Sequence, residues 1–298
     1  MAHAAAPSAP PAPDRPALGM ALMLGFCCAA PMSDALSKLA AGTLPVIQIV
    51  LIRFVVQAGV LAPLVAASRA GFAMSRRGWA LTAARTALQI AGIWLMVTGL
   101  TYLPLADAIA IAFVMPFVLL LLGHLLLGEA VGPHRLAACA VGFGGTLLVM
   151  QPAFREVGWA VLYPLGVAVV FAAFMLVTRL LAREAGALVM QAHSGWMAAA
   201  VLGAAYLALP GLALAPMAAD WALLLALGLL GTVGHLMMTW SLRHAPASTL
   251  APMQYLEIPV AALIGLWLFG DWPDGLALAG IAVIVGAGLY VLWREARA

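Results

Sequence analysis

The stretch PLADAIAIAFVMP, Pro104 to Pro116, runs on to Leu127-Gly128-Glu129, and PASTLAPMQYLEIP, Pro246 to Pro259, runs on to Gly270-Asp271. The second begins 142 residues after the first, and at that one shift other landmarks coincide. Leu88 meets Leu230, Gly92 meets Gly234, Met96 meets Met238, Leu100 meets Leu242, Pro104 meets Pro246, and Gly144 meets Gly286. Gly128 meets Gly270, and Glu129 meets the chemically similar Asp271. No gap is needed. Leucine and glycine matches come cheaply in an apolar chain, but proline and glycine-acid landmarks at one constant shift mark a duplication.

Composition says where the two copies reside. The 298 residues are 65% hydrophobic and 8% charged, with a net charge of +3, and the mean hydropathy is +1.09. A soluble domain carries roughly 25% charged residues, so no water-facing surface can be built from this chain. It reads as a membrane protein. The apolar runs are long and do not alternate with period two, which selects helices over a barrel. Ten spans are expected, near 17–39, 44–66, 78–101, 105–127, 134–151, 158–181, 187–209, 219–242, 247–269 and 275–293. At about 20 residues per span they take up roughly 200 positions, leaving no room for a soluble catalytic domain. Turn residues punctuate the connectors: Gly42 and Pro45, Gly132-Pro133, and Pro210-Gly211.

The domain plan is a tail over 1–16, a first five-helix repeat over 17–151 and a second over 158–293. Five is odd, so the second copy enters the membrane from the opposite side and the repeats are inverted. Inverted repeats suit secondary transporters, because two similar halves that meet near the midplane can exchange shapes and open to each side in turn.

Positive charge gives the orientation. With the N-terminus inside, ten of the 14 basic residues border inner segments: Arg15, Arg69, Arg76, Arg77, Arg135, Arg179, Arg183, Arg243, Arg294 and Arg297. The outer connectors hold only Arg155. Both termini are therefore expected in the cytoplasm. The Ala- and Pro-rich tail lacks an early basic region and reads as disordered, not as a cleaved signal. Cys27, Cys28 and Cys139 all fall in spans, and neighbours on a helix diverge by about 100°, so neither a disulfide framework nor a metal cluster follows.

The paired motifs resemble those of the EamA-type drug/metabolite transporters. Matching features are Asp34-x-x-x-Lys38 in the first span, Arg53 in the second, and Gly142-Phe-Gly144-Gly145 ending at Gln151-Pro152. The resemblance covers residues 17 to 293. It implies a ten-helix bundle in the bacterial inner (plasma) membrane, with a central cavity lined by helices 1 to 4 and 6 to 9 and with helices 5 and 10 more peripheral. It implies no substrate, since members move amino acids, nucleotide-like cofactors, vitamins and metallophores.

Ionisable groups within spans are costly, roughly 2.5 to 3.5 kcal/mol each on insertion scales when unpaired, and are functional candidates by default. Asp34, Asp107 and Glu257 are balanced by Lys38, Arg53 and Arg85. Asp34 and Lys38 are four apart and stack on one helix face, which allows a direct ion pair. The alternatives are a structural pair near the outer surface, a contact to a zwitterionic substrate, or a proton carried by Asp34. Arg53 precedes Gln57 by one turn, and Arg85 precedes Gln89 likewise, giving two polar stripes. Arginine grips carboxylates through its fork. Arg53 is read equally as a substrate contact or as a fixed partner for an acid, whereas Arg85, nearer the inner end, is read first as snorkelling to headgroups.

The strongest candidate is Glu257, with Gln254 three residues earlier and Pro259 two residues later. Proline lacks an N–H, so a backbone carbonyl one turn earlier is released for other contacts. Glu257 either exchanges a proton as the cavity alternates or is paired permanently with Arg or Lys. Asp107, near the start of the fourth span, either joins the site or stabilises a positive helix end. Five of the six charges belong to the first repeat, an asymmetry suited to holding one asymmetric ligand between similar halves.

Gln191, His193 and Ser194 in the seventh span and His235 in the eighth add hydrogen-bonding groups, although a lone helical histidine is more often structural. Trp94, Trp196, Trp240 and Tyr255 are candidates for stacking on a flat substrate, or else interfacial and packing aromatics. The row Gly228-x-x-Gly231-x-x-Gly234 points to close helix approach, with hinging second. Glu129 and Asp271, at matching helix ends, read as capping or gate residues.

These features favour a secondary transporter of a small polar metabolite, with export of amino acids or amino-acid derivatives, metallophores included, placed first. Import of riboflavin or S-adenosylmethionine is the alternative. Proton coupling and a homodimer are candidate additions. No Gly-x-x-x-x-Gly-Lys loop, His-Glu-x-x-His, Gly-x-Ser-x-Gly or paired-Asp protease motif occurs, so ATP-driven transport and intramembrane enzymology have no support. No cofactor or metal is expected. Basic residues are spread over membrane-flanking loops, which leaves nucleic-acid binding unsupported.

Overall fold

The computed structural model describes residues 15–68, 74–127, 133–181, 184–208, 218–244 and 253–295. The tail to residue 14, Glu129 and Pro246 lie outside these. Eleven α-helices and no strand occur among the described residues. They are α1 (Pro16–Ala40), α2 (Val46–Ala67), α3 (Arg76–Leu100), α4 (Leu105–Ala112), α5 (Met115–Leu127), α6 (Pro133–Val157), α7 (Leu162–Leu181), α8 (Ala187–Ala208), α9 (Ala218–His244), α10 (Glu257–Phe269) and α11 (Gly275–Glu295). A helix satisfies its own backbone groups, which is what a segment facing hydrocarbon requires. Five helical stretches are long and apolar enough to cross a bilayer: Ala17–Ala40, Val46–Ala67, Arg76–Leu100, Ala140–Thr178 and Asp220–Met238. Their outer faces carry exposed apolar side chains such as Leu24, Val55, Val169 and Leu225. This is the arrangement of a multi-pass membrane protein.

Helix packing carries the mark of the repeat. α1 packs on α9, and α3 on α7, while α2 packs on α8, α6 on α11 and α4 on α10. Under the 142-residue shift α1 maps to α7 and α3 to α9, so the first two contacts exchange. The α2–α8 and α6–α11 contacts map onto themselves, whereas α10 corresponds to α5, so the α4–α10 contact has no such symmetry. The largest buried cluster lies where α4 meets α10, through Leu105, Ala108, Ile109, Ile258, Ala261 and Ile264, with Val149 of α6 and Ile284 of α11 beside it. α6 and α11 approach until backbones touch: a Cβ on Gly280 would stand 2.6 Å from the carbonyl oxygen of Gly145.

Two expected spans are interrupted. The fourth, read as continuous over 105–127, divides into α4 and α5 at a turn over Phe113–Val114. In the ninth, Met253–Gln254 is helical, Tyr255–Leu256 turns, and α10 starts at Glu257. The two turns coincide at the same 142-residue shift. The fifth span, read as ending at 151, continues through Pro152 to Val157. Proline costs one intrahelical hydrogen bond but keeps a helical φ, so a long helix carries it. The stop is Gly158, whose φ of 63° is left-handed and favours glycine, and a 3₁₀ turn over Gly158–Val161 leads into α7.

Candidate substrate cavity

The two interrupted helices converge. Phe113 from one turn and Tyr255 from the other meet with ring centroids 5.4 Å apart. Tyr255 is buried, and Gly288 on α11 makes room for it, since a Cβ there would overlap the phenol ring. Beside this contact lies a cavity of about 150 Å³ lined by both repeats. Repeat-related positions face it in pairs: Met96 and Met238, Ala112 and Gln254, Met115 and Glu257. Helices broken near the midplane are a recurrent way of building transporter sites, because unwound backbone and helix ends become available to a ligand. Here the carbonyl released by Pro259 belongs to Tyr255, and it accepts a hydrogen bond from Ile258 N at 3.3 Å.

The lining divides into two kinds of surface. Phe26, Phe113 and Phe171 with Met96, Met115, Met175 and Met238 form soft, polarisable walls. Asp34, Arg53, Gln89, His235, Gln254 and Glu257 supply the polar groups. Arg53 Nη1 donates to Asp34 Oδ1 at 3.5 Å. Glu257 makes no ion pair among the described residues, so a carboxyl opens on the cavity without a fixed cation. His235 lies tilted against Phe26, with ring centroids 6.2 Å apart.

Several sequence candidates lie elsewhere. Asp34 and Lys38 do not pair with each other, because each finds a partner across the bundle that one helical turn cannot offer. Lys38 Nζ donates to Asp271 Oδ2 at 3.2 Å and to the Leu103 carbonyl at 2.9 Å, over the Phe269 ring. Asp271 is thus the acid that ties the end of α1 to the α10–α11 connector. Asp107 is buried in the first turn of α4, where a carboxylate complements the positive helix end, and its Oδ1 has no partner among the described residues.

Arg85 does not snorkel. It is 4% exposed, donates from Nε to Thr178 Oγ1 at 3.1 Å and from Nη1 to Ser194 Oγ at 2.6 Å, and covers the Phe174 ring, so it clamps α3 to α7 and α8. Gln191 accepts from Gln57 Nε2 through its backbone carbonyl at 2.9 Å and its side-chain oxygen at 3.3 Å, joining α2 to α8. His193 bonds the Val189 carbonyl and meets Trp79 edge-on. Trp94, Trp196 and Trp240 are exposed on outer faces and do not line the cavity.

Sequence reasoning missed the phenylalanine and methionine walls. Their type matches the lipid-facing surface, so composition carries no signal. The exception was Met96 with Met238, an aligned repeat pair whose two members both reach the cavity. Also missed was the tie at the start of α3, where Ser75 Oγ caps Gly78 N and donates to Glu184 Oε2 from the α7–α8 connector.

A paired-repeat helical bundle with a cavity at its broken helices defines a membrane transporter. The model of the EamA-like transporter family matches residues 17–151 and 158–293, and the chain belongs to that family. Among its relatives, a riboflavin transporter of Rhizobium johnstonii is 34% identical over 221 residues, covering 72% of this chain and 70% of that protein. A pseudopaline exporter of Pseudomonas aeruginosa is 30% identical over 258 residues, covering 85% and 88%. An S-adenosylmethionine uptake transporter of Rickettsia bellii is 26% identical over 203 residues, covering 67% of each. One solved crystal structure shares the fold, with a TM-score of 0.65 at 20% identity over 95% of this chain and 98% of its own.

Proposed function

We propose that this chain is a secondary transporter working by alternating access in the bacterial inner membrane, with ten spans and both termini cytoplasmic, and that it carries a small metabolite bearing a flat ring and polar groups, of the flavin or adenosyl kind. The observation that carries this reading is the two-sided cavity at the paired helix breaks. Phenylalanine rings and methionine sulfurs offer a surface for a polarisable ring, and Arg53, Gln89, Gln254 and Glu257 offer hydrogen bonds at its edge. Relatives named for riboflavin and S-adenosylmethionine support it. Glu257, a carboxyl without an ion pair beside a ligand cavity, is the group we assign to proton coupling.

A second reading is kept by the Asp34–Arg53 pair. One contact of 3.5 Å holds it, so both charges are available to a zwitterion, which suits export of an amino-acid derivative. The pseudopaline exporter among the relatives supports that direction.

Counterflow in proteoliposomes with labelled riboflavin, S-adenosylmethionine and an amino-acid panel tests the choice. Saturable exchange of riboflavin or S-adenosylmethionine is expected. Exchange confined to amino acids would move the assignment to the second reading, and no exchange of any of these compounds would overturn both.

A further inference from the structure

Arg53 is 7% exposed, lines the cavity, and makes one polar contact among the described residues, the 3.5 Å bond to Asp34. A guanidinium carries five N–H donors, and 3.5 Å lies beyond the usual range for such a bond. Buried donors of this strength are normally satisfied, yet most of the head has no partner among the described residues.

The glycine row on α9 explains how that head is held. Gly228 and Gly234 let helices approach: a Cβ on Gly228 would stand 2.8 Å from Val56, and one on Gly234 would stand 3.3 Å from the Ala29 Cβ. Gly231 does something else. A Cβ there would stand 3.0 Å from both Nε and Nη2 of Arg53 and 3.2 Å from Cζ, so the guanidinium rests in the notch left by the missing side chain. The device occurs once among the described residues. At the 142-residue shift Arg53 corresponds to Gly195 and Gly231 to Gln89, so the repeat-related pair has neither a cation nor a notch.

We infer that the under-used guanidinium of Arg53 is the subsite that receives two adjacent acceptor atoms of the substrate, supplied by a ring carbonyl with its neighbouring unprotonated ring nitrogen or by a carboxylate, and that Gly231 is the positioning residue that sets the head for them. A planar fork matches paired acceptors. Asp34 balances the charge through a contact long enough to yield. The inference rests on the cavity being the transport site, as proposed above.

Equilibrium binding to the purified full chain tests it, with labelled riboflavin as the ring probe and labelled phenylalanine as the carboxylate probe. Arg53→Lys keeps the charge and removes the fork. Gly231→Ala fills the notch, and Gly234→Ala is the control on the same helix, crowding Ala29 without touching Arg53. For whichever probe the parent binds, Arg53→Lys and Gly231→Ala should each weaken binding about 10-fold or more, and Gly234→Ala less than about 3-fold, because leaving paired acceptors unmatched typically costs that much. Joined with Arg53→Lys, Gly231→Ala should add less than about 3-fold, since an ammonium does not fill the notch.

Parent-like binding by Arg53→Lys, equal losses from Gly231→Ala and Gly234→Ala, or losses that multiply in the double variant would overturn the inference. Riboflavin bound without dependence on Arg53 sinks the subsite and leaves the ring-bearing substrate standing. Phenylalanine bound with that dependence, and riboflavin not bound, does the reverse. Failure of the parent to bind either probe overturns both.

Discussion

The turn at Phe113–Val114 and the turn at Tyr255–Leu256 interrupt their helices at positions 142 residues apart, and they are chemically unlike. Around the first stand Ala112, Phe113 and Met115, all apolar. Around the second stand Gln254, Tyr255 and Glu257, which replace them one for one with an amide, a phenol and a carboxyl. The prolines are not in register either: Pro116 corresponds to Ile258, and Pro259 to Phe117. The same backbone interruption is thus held by different residues. Shape has been kept between the two turns, as the proposed alternating access would use it, while at the turns themselves the hydrogen-bonding groups stand on the second alone.

The sharpest way to break that comparison is to make the second turn resemble the first. Glu257→Gln keeps the size and removes the titrating group. In proteoliposomes it should still exchange substrate in counterflow, yet lose accumulation driven by a pH gradient, by about 10-fold or more relative to the parent. Glu257→Met copies Met115 in full and should lose accumulation to the same extent. If Glu257→Gln concentrates substrate as well as the parent does, coupling belongs to Asp34 or Asp107, and the polar turn serves recognition alone.

A smaller effect separates the two turns by packing. Tyr255 requires Gly288, where a Cβ would overlap its ring, whereas a Cβ on Gly286 would meet nothing within 4 Å. Gly288→Ala should destabilise by about 1–3 kcal/mol through overpacking. Gly286→Ala should be neutral or stabilise by up to about 1 kcal/mol through helix propensity. Thermal unfolding of the purified variants in detergent measures both. Equal midpoints would mean that Tyr255 relaxes freely and that the second turn is not fixed from α11.

Much of this was legible before the structure. The repeat, the helical class and most span positions follow from hydropathy and from landmarks at one shift, because lipid demands long apolar runs with satisfied backbones. Cavity residues that are polar were legible for the complementary reason: Arg53, Asp34, Gln254 and Glu257 are too costly in a membrane to lie there idly. The interruption at Phe113–Val114 was not, since it sits inside an unbroken apolar run and depends on how α4 meets α10. The walls were hidden too, as a methionine facing a ligand and one facing lipid are the same letter. Asp34 and Lys38 were joined by a local spacing rule, whereas the real partners come from α2 and from the α10–α11 connector. Arg85, judged by its nearness to a helix end, was placed at the surface, but Thr178 and Ser194 on neighbouring helices hold it inside.

The smallest expected effect concerns that long-range partner of Lys38. Asp271 aligns with Glu129 in the other half, but the residue aligned with Lys38 is Leu180, so the Lys38–Asp271 bridge has no repeat-related counterpart. The side chains are 18% and 36% exposed, and ion pairs so open to water are worth about 0–1 kcal/mol. Asp271→Asn keeps a hydrogen-bond acceptor for Lys38 Nζ, and the Leu103 carbonyl is retained as well. The thermal midpoint should therefore fall only slightly, and less at high salt, where the parent has already lost part of the attraction. Exchange rate is the more telling measurement. If the bridge holds α1 to the α10–α11 connector in one state only, Asp271→Asn should change the rate of counterflow while leaving substrate affinity within about 2-fold. A change in affinity with no change in rate would show that the bridge shapes the cavity, and that this asymmetry serves binding and not movement.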